Sequence, residues 1–140
     1  MTDRPAEAVV VDASVFVDLL AGTPHAAAAT ARLAGTSMHA PAHVDAEVLS
    51  ALGRLQRAGE LTATEVEAGL ATLAAAPITR HSAHELLAGA WSRRADLRLT
   101  YALYVELATL LRVPLLTTDQ RLARASGAAE AIAPKVPDQA

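Results

Sequence analysis

The sequence predicts an α/β protein in which a short central parallel sheet lies between two layers of helices. Residues 9–11 are three consecutive valines, as in a strand that is buried on both faces. A second apolar run, Leu115 and Leu116, ends as the first one does, on hydroxyl residues and a carboxylate. Segments of helical periodicity separate these short strands, which favours parallel pairing through right-handed crossovers.

Strands and helices alternate along the chain. The predicted strands are residues 9–11, 38–40, 77–79, 115–116 and 131–133. The predicted helices are residues 15–20, 25–34, 41–59, 62–75, 83–93, 99–112 and 120–125. Pro41 suits the first turn of a helix, and Thr62 with Glu65 has the spacing of a capping box. Gly59 is expected to end the helix before that box.

Length and composition predict one domain over residues 1–140. Its core is expected at about 8–133, with residues 1–7 and 134–140 loose. The chain is 52% hydrophobic, which argues against disorder, and it has no cysteine for disulfides or thiolate metal sites. Trp91, the one tryptophan, is expected in the core or at a dimer interface.

Net charge and hydropathy argue against some classes of function. A formal net charge of −3 argues against tight binding of nucleic acid through a broad basic surface. It leaves room for a nucleic-acid enzyme, because bound metal ions neutralise clustered acids. The first residues lack the features of a signal peptide, and no apolar run reaches the ~18 residues that span a bilayer. The predicted location is therefore cytoplasmic, with no membrane partner.

Two carboxylates follow the two apolar runs. Asp12 comes directly after the first strand, and Asp119 stands after the second at the start of a helix. If the strands are neighbours, both acids lie at the same edge of the sheet, where α/β proteins place ligands. Each Asp alone could instead cap its helix. Ser14 has two interpretations: it orients Asp12, or it is itself the helix N-cap.

A further acid is expected from the helix after residue 41. Glu47 lies on the flank of its apolar stripe and Asp45 lies nearer the centre, so periodicity does not choose between them. Asp45 also suits the first turn, where a negative charge interacts well with the helix dipole. Arg54 is one helical face from Glu47 and is a candidate phosphate contact, or else a solvated surface arginine.

Four stretches together resemble a PIN domain, and in particular the VapC toxins of type II toxin–antitoxin pairs. They are residues 10–14, 40–52, 103–108 and 115–123, and the likeness runs from Val9 to about Ser126. The resemblance implies a PIN-like α/β/α fold and an endoribonuclease, dependent on Mg²⁺ or Mn²⁺, that cleaves structured RNA such as tRNA or rRNA. It also implies a homodimer and a small VapB-like antitoxin that blocks the site.

By the family pattern, the catalytic and metal-binding acids are Asp12, Glu47 and Asp119, so Glu47 is preferred over Asp45. Ser14 and Thr118 are expected to support them. The family usually carries one more Asp, at the position where this chain has Tyr101. A tyrosine is neutral at pH 7, so it supports the site without adding charge. Asp96 precedes that helix and is a possible substitute from a loop.

This departure leaves two functions open. The first is a metal-dependent ribonuclease toxin, slowed by Tyr101. The second is a degenerate PIN domain with weak or no nuclease activity, which binds RNA or its antitoxin without cutting.

Overall fold

The structure, a computed structural model, describes residues 5–134. Its strands are β1 (Glu7–Val11), β2 (Thr36–Pro41), β3 (Ile78–His81), β4 (Leu115–Thr117) and β5 (Ala129–Ala131). They form one sheet in the order β3-β2-β1-β4-β5, and every neighbouring pair is parallel. The predicted parallel sheet is confirmed, and β1 lies at its centre beside β4.

Seven α-helices are present within the described residues. They are α1 (Ala13–Ala21), α2 (Ala26–Leu33), α3 (Val44–Arg57), α4 (Ala63–Ala75), α5 (Leu87–Ser92), α6 (Leu99–Leu111) and α7 (Gln120–Ala125). The predicted helix over 83–93 is divided into a 3₁₀ turn (Ala83–Leu86) and α5. Thr62 and Glu65 do form the expected capping box at the start of α4.

The sheet is covered by helices on both faces, which gives three layers. Helix α6 packs across β1, β2 and β4 and carries α5 on its outer side. Helix α1 packs with α2, α3 and α4. Val9, Val10 and Val11 are completely buried, as expected of a central strand between two helical layers. The α/β/α architecture is the one that the sequence predicts.

Several boundaries differ from the sequence-based expectation. Pro41 does not open α3; it is the last residue of β2 and pairs with His81 of β3. Strand β5 covers 129–131 instead of 131–133, although Ile132 is buried and its amide donates to Thr117 O over 2.8 Å. Trp91 is 57% exposed, so its expected place in the core is wrong. The Arg94 guanidinium stacks on its ring instead.

The ends of the chain are only partly described. Glu7 already belongs to β1, one residue before the predicted core. The prediction of loose ends falls mostly on residues 1–4 and 135–140, which lie outside the described residues. Among residues 5–134, no helix combines the length and the hydropathy that crossing a membrane requires.

Candidate functional site

An open cleft of about 500 Å³ lies at the carboxyl ends of β1 and β4. The register pairs Val11 with Leu116, and the Asp12 amide donates to Leu116 O over 2.9 Å. The two strands therefore end side by side, and the acids that follow them face the same space. The charged residues around the cleft come from α1, α3 and the N-cap positions of α1, α6 and α7. They are Asp12, Asp18, Glu47, Asp119, Arg54 and Arg98.

Asp12 is the buried acid of this cleft, with 6% of its surface exposed. Its Oδ2 accepts hydrogen bonds from Ser14 Oγ at 2.7 Å and from Thr117 Oγ1 at 2.8 Å. Burial raises the pKa of Asp12, and the negative charge of Glu47 adds to this, although the two hydroxyls act against it. The carboxylate is thus fixed in place and would gain from a nearby cation.

The hydrogen bonds of Ser14 and Asp12 show whether either side chain caps the N-terminus of α1. Asp12 occupies the N-cap position of α1 but makes no side-chain capping hydrogen bond. Ser14 lies inside the helix, and its hydroxyl binds Asp12 while also accepting from the Thr118 amide at 3.2 Å. The N-cap interpretation of Ser14 is wrong. The capping interpretation of Asp12 is also wrong, because its Oδ2 accepts from two hydroxyls and its side chain caps no amide of α1.

Glu47 extends from α3 into the cleft, where its carboxylate contacts Tyr104 and His43. Tyr104 donates from its hydroxyl to Glu47 Oε1 over 2.7 Å. Nε2 of His43 lies 3.0 Å from the same oxygen, although neither His43 nitrogen makes an aligned hydrogen bond within the described residues. Burial alone would raise the pKa of Glu47, but contacts with His43 and Tyr104, and the charge of Arg98, lower it. Glu47 therefore stays ionised.

Asp45, the alternative to Glu47, points away from the cleft. Arg80 of β3 donates to both of its carboxylate oxygens, at 2.7 and 2.9 Å. The same guanidinium donates to Leu73 O at the end of α4. Asp45 thus ties α3 to β3 and α4, which leaves Glu47 as the acid of α3 that faces the cleft.

Asp119 has two roles at once. Its Oδ1 accepts from the amides of Arg121 and Leu122, at 3.0 and 3.3 Å, and so caps α7. The residue also lines the cleft opposite Asp12. The capping interpretation is correct for Asp119, and it does not compete with a role in the cleft, because only one carboxylate oxygen takes part in the cap.

Tyr101 stands where the family pattern has an acid, and the structure places it in the wall of the cleft. The side chain is 3% exposed, and its Oη is buried without a hydrogen-bond partner among the described residues. Burial, and then the charges of Asp12 and Asp119, raise the pKa of Tyr101 far above its usual value. The phenol is neutral at any physiological pH.

The other predicted residues divide into two groups. Arg54 lines the cleft and donates to Ser50 Oγ at 2.8 Å. Thr118 contributes its backbone amide only, so Thr117 is the threonine that supports Asp12. Asp96 is exposed and borders an adjoining cleft of about 290 Å³, which it shares with Asp119. It does not line the main cleft, and its expected role as a substitute acid finds no support in this placement.

Five residues at or beside the cleft were not predicted as site residues: Asp18, Thr117, Tyr104, His43 and Arg98. Thr117 directly precedes Thr118, the threonine that was predicted to support the acids, and it is the Thr117 hydroxyl that donates to Asp12. Tyr104 is one helical turn beyond Tyr101, a spacing that could have indicated a shared face of α6. His43 lies four residues after His39, a spacing compatible with a metal site but not indicative of a contact with Glu47, and Arg98 carries no sequence signal of its own.

The arrangement offers oxygen donors only, without a ready-made metal cage. Among residues 5–134, no three His, Asp or Glu side chains are close enough together to hold an ion between them. The cleft instead combines one buried carboxylate, three partly exposed ones and arginines at its rim. Chemically, such a cleft suits a hydrated divalent cation and an anion that the cation and the arginines attract.

Comparisons with known proteins agree with one another. The family model described as PIN domain matches residues 9–128. Ribonuclease VapC3 of Mycobacterium tuberculosis is 64% identical over 129 residues, which is 91% of this chain and 94% of that protein. Ribonuclease VapC1 of the same species is 40% identical over 120 residues, covering 84% of this chain and 90% of that protein.

Solved structures show the same fold at low sequence identity. A toxin–antitoxin complex from Klebsiella pneumoniae superposes with a TM-score of 0.67 at 14% identity, over 91% of this chain and 99% of that one. Mycobacterium tuberculosis VapC20, described as a toxin that cleaves the sarcin–ricin loop, superposes with a TM-score of 0.63 at 16% identity. That match covers 84% of this chain and 95% of the other.

Proposed function

Because the chain belongs to the PIN-domain family and, within it, to the VapC ribonucleases, we propose that it is a metal-dependent endoribonuclease toxin that cleaves structured RNA. We place the reaction in the cleft between Asp12, Glu47 and Asp119, with Mg²⁺ or Mn²⁺ as the cofactor and tRNA or rRNA as the substrate class. The observation that carries the proposal is the Asp12 carboxylate, which is buried, fixed by two hydroxyls and close to further acids.

A divalent cation fits these residues. Mg²⁺ takes oxygen ligands and commonly only one or two carboxylates, while water and substrate fill the other positions. Asp12 and Asp119 would hold it, and Glu47 would bind it directly or through water. When bound, such an ion activates water for attack on a phosphodiester and stabilises the charge that develops.

The protein's own side chains prepare the cleft for this chemistry. Ser14 and Thr117 keep Asp12 in one orientation, and Tyr104 does the same for Glu47. Arg54 and Arg98 lie at the rim of the cleft, where their guanidinium groups would attract and orient RNA phosphates. Since only a few arginines take part, binding depends on the cation more than on a broad basic surface.

We further propose a small VapB-like antitoxin as the protein partner, a homodimer as the assembly and the cytoplasm as the location. The structural neighbour from Klebsiella is described as a toxin–antitoxin complex, which supports a partner of this kind. We propose that this partner inhibits cleavage by occupying the acidic cleft.

The decisive experiment is cleavage of bulk tRNA and of rRNA by the purified protein, titrated with Mg²⁺ or Mn²⁺. We expect cleavage that EDTA abolishes and that Asp12→Asn, which keeps the size of the side chain, reduces about 100-fold or more. Cleavage that survives Asp12→Asn, or that persists without metal, would contradict the proposal.

One residue, Tyr101, favours a second candidate function, in which the domain binds RNA or antitoxin without cleaving RNA. With a neutral phenol among the acids, the cleft holds less negative charge, and a PIN domain that binds RNA or antitoxin without cutting is the alternative. Retention of tRNA on the protein, with no cleavage at any metal concentration and no difference between wild type and Asp12→Asn, would favour this function.

A further inference from the structure

Within the described part of the chain, the buried hydroxyl of Tyr101 has no hydrogen-bond partner. Native proteins rarely leave a buried hydroxyl unsatisfied, and the exceptions commonly mark a missing water, ion or ligand. The ring also lines the acidic cleft. Position and missing partner together indicate that something bound in the cleft contacts this oxygen.

The surroundings restrict what that contact is. A tyrosine hydroxyl is protonated at neutral pH, so it offers a polar oxygen without charge. The nearby carboxylates are already engaged in part: Asp12 Oδ2 accepts from Ser14 and Thr117, and Asp119 Oδ1 caps α7. An anion would be repelled from a position between two carboxylates unless a cation came first.

We propose that Tyr101 is a positioning residue for the divalent cation, and that its hydroxyl oxygen accepts a hydrogen bond from a water molecule that accompanies the ion. The inference rests on the proposed function, because it needs a cation beside Asp12 and Asp119. Mg²⁺ dehydrates reluctantly and keeps several waters when proteins bind it. Such waters are strong donors, and a neutral tyrosine oxygen is a suitable acceptor.

The chain provides a matched pair of variants for the test. Tyr101 and Tyr104 are its two tyrosines, both are buried, and both lie on α6. The Tyr101 hydroxyl has no partner among residues 5–134, whereas the Tyr104 hydroxyl donates to Glu47 at 2.7 Å. In the metal-free protein we expect Tyr101→Phe to leave the melting temperature unchanged or higher. Tyr104→Phe should lower it, because Glu47 then loses its donor.

The second measurement is calorimetric titration with Mn²⁺. We expect Tyr101→Phe to weaken the affinity about tenfold, the size of effect that residues contacting metal ligands commonly have. Lower affinity without lower melting temperature would support the proposal, since a purely structural role moves the melting temperature instead. An unchanged affinity overturns it. Failure of Tyr101→Phe to fold, or a clear fall in its melting temperature, also overturns it, because the hydroxyl then has a partner inside the protein.

Cleavage of bulk tRNA separates this inference from the proposed function. If wild type cuts in the presence of Mn²⁺, Asp12→Asn does not, and Tyr101→Phe binds Mn²⁺ as wild type does, the function stands and the role of Tyr101 falls. If wild type neither binds Mn²⁺ nor cuts, the proposed function falls as well.

Discussion

Arg80 holds Asp45 by two hydrogen bonds, from Nε to Oδ2 at 2.7 Å and from Nη2 to Oδ1 at 2.9 Å. This pairing holds Asp45 away from the cleft, although Glu47, which lines the cleft, is only two residues further along α3. Asp45 faces β3 and α4, and Glu47 faces the cleft and the Tyr104 hydroxyl. The Asp45 carboxylate therefore joins structural elements, whereas the Glu47 carboxylate is available for chemistry in the cleft.

Exchanging each acid for its amide should reveal the difference. We expect Glu47→Gln to reduce RNA cleavage about 100-fold, because a carboxylate near the cation is lost. Asp45→Asn should leave cleavage near the wild-type rate and lower the free energy of unfolding by about 0.5–1 kcal/mol, since the pair is partly exposed. Cleavage assays and thermal melts of both variants check this. If Asp45→Asn loses cleavage and Glu47→Gln retains it, then Asp45, and not Glu47, is the acid of the site.

The sequence predicted the fold better than it predicted the details of the site. Apolar runs and helical spacing suffice for a parallel sheet, and neighbouring strand ends bring Asp12 and Asp119 together. The choice between Asp45 and Glu47 came from family resemblance, because the contact that decides it joins residues 35 positions apart. The hydrogen bond from Tyr104 to Glu47 spans 57 positions. Contacts of this kind depend on packing, which local patterns do not encode.

Removing the hydroxyls that hold Asp12 should impair catalysis through its orientation. We expect Ser14→Ala and Thr117→Val each to reduce cleavage about 10–100-fold, the range for residues that orient metal ligands. Thr118→Val is the control: this buried residue touches Ser14 through its backbone amide only, so cleavage should stay close to wild type. A loss in Thr118→Val as large as in Thr117→Val would show that packing, and not orientation of Asp12, is responsible.

The buried charge of Asp12 should make the metal-free protein less stable as the pH rises. Burial raises the pKa of Asp12 in the folded state above its unfolded value, so the folded state binds more protons in the interval between the two values. Stability then falls as the pH rises through that interval and stays lower above it. Asp12→Asn removes this contribution while still accepting from Ser14 and Thr117.

The measurement is the melting temperature of wild type and Asp12→Asn in EDTA from pH 3 to pH 8. We expect Asp12→Asn to melt higher at pH 8, by ~2–4 °C for each kcal/mol gained. The advantage should shrink toward low pH, where Asp12 is protonated. Comparing the two variants cancels the titration of carboxylates with lowered pKa values, such as Glu7 and Glu65. A constant difference across the range would contradict a raised pKa.

Gly89 leaves room for the Glu106 carboxylate between α5 and α6. A Cβ at this position would collide with the Glu106 carboxylate, which accepts from Arg93 at 2.7 Å and is largely buried. We expect Gly89→Ala to lower the free energy of unfolding by ~1–3 kcal/mol. Gly53→Ala, in the middle of α3 with open space around it, should raise it by up to ~1 kcal/mol. Urea denaturation of both variants tests the contrast, and equal effects would refute it.

Tyr101→Asp should increase the affinity for Mn²⁺. The substitution adds a carboxylate near Asp12 and Asp119, whose charges already act on the Tyr101 hydroxyl. One more negative charge in the cleft should strengthen the binding of a cation by about tenfold or more. The same repulsion, together with the lost ring, should lower the melting temperature of the metal-free protein. Calorimetric titration and melts with and without Mn²⁺ measure both effects. Tyr101→Asn is the control, because asparagine has the size of aspartate but no charge. We expect this variant to bind Mn²⁺ no more tightly than wild type does. If Tyr101→Asp binds Mn²⁺ no better than Tyr101→Asn does, position 101 does not face the cation, and the placement of the ion between Asp12 and Asp119 is wrong.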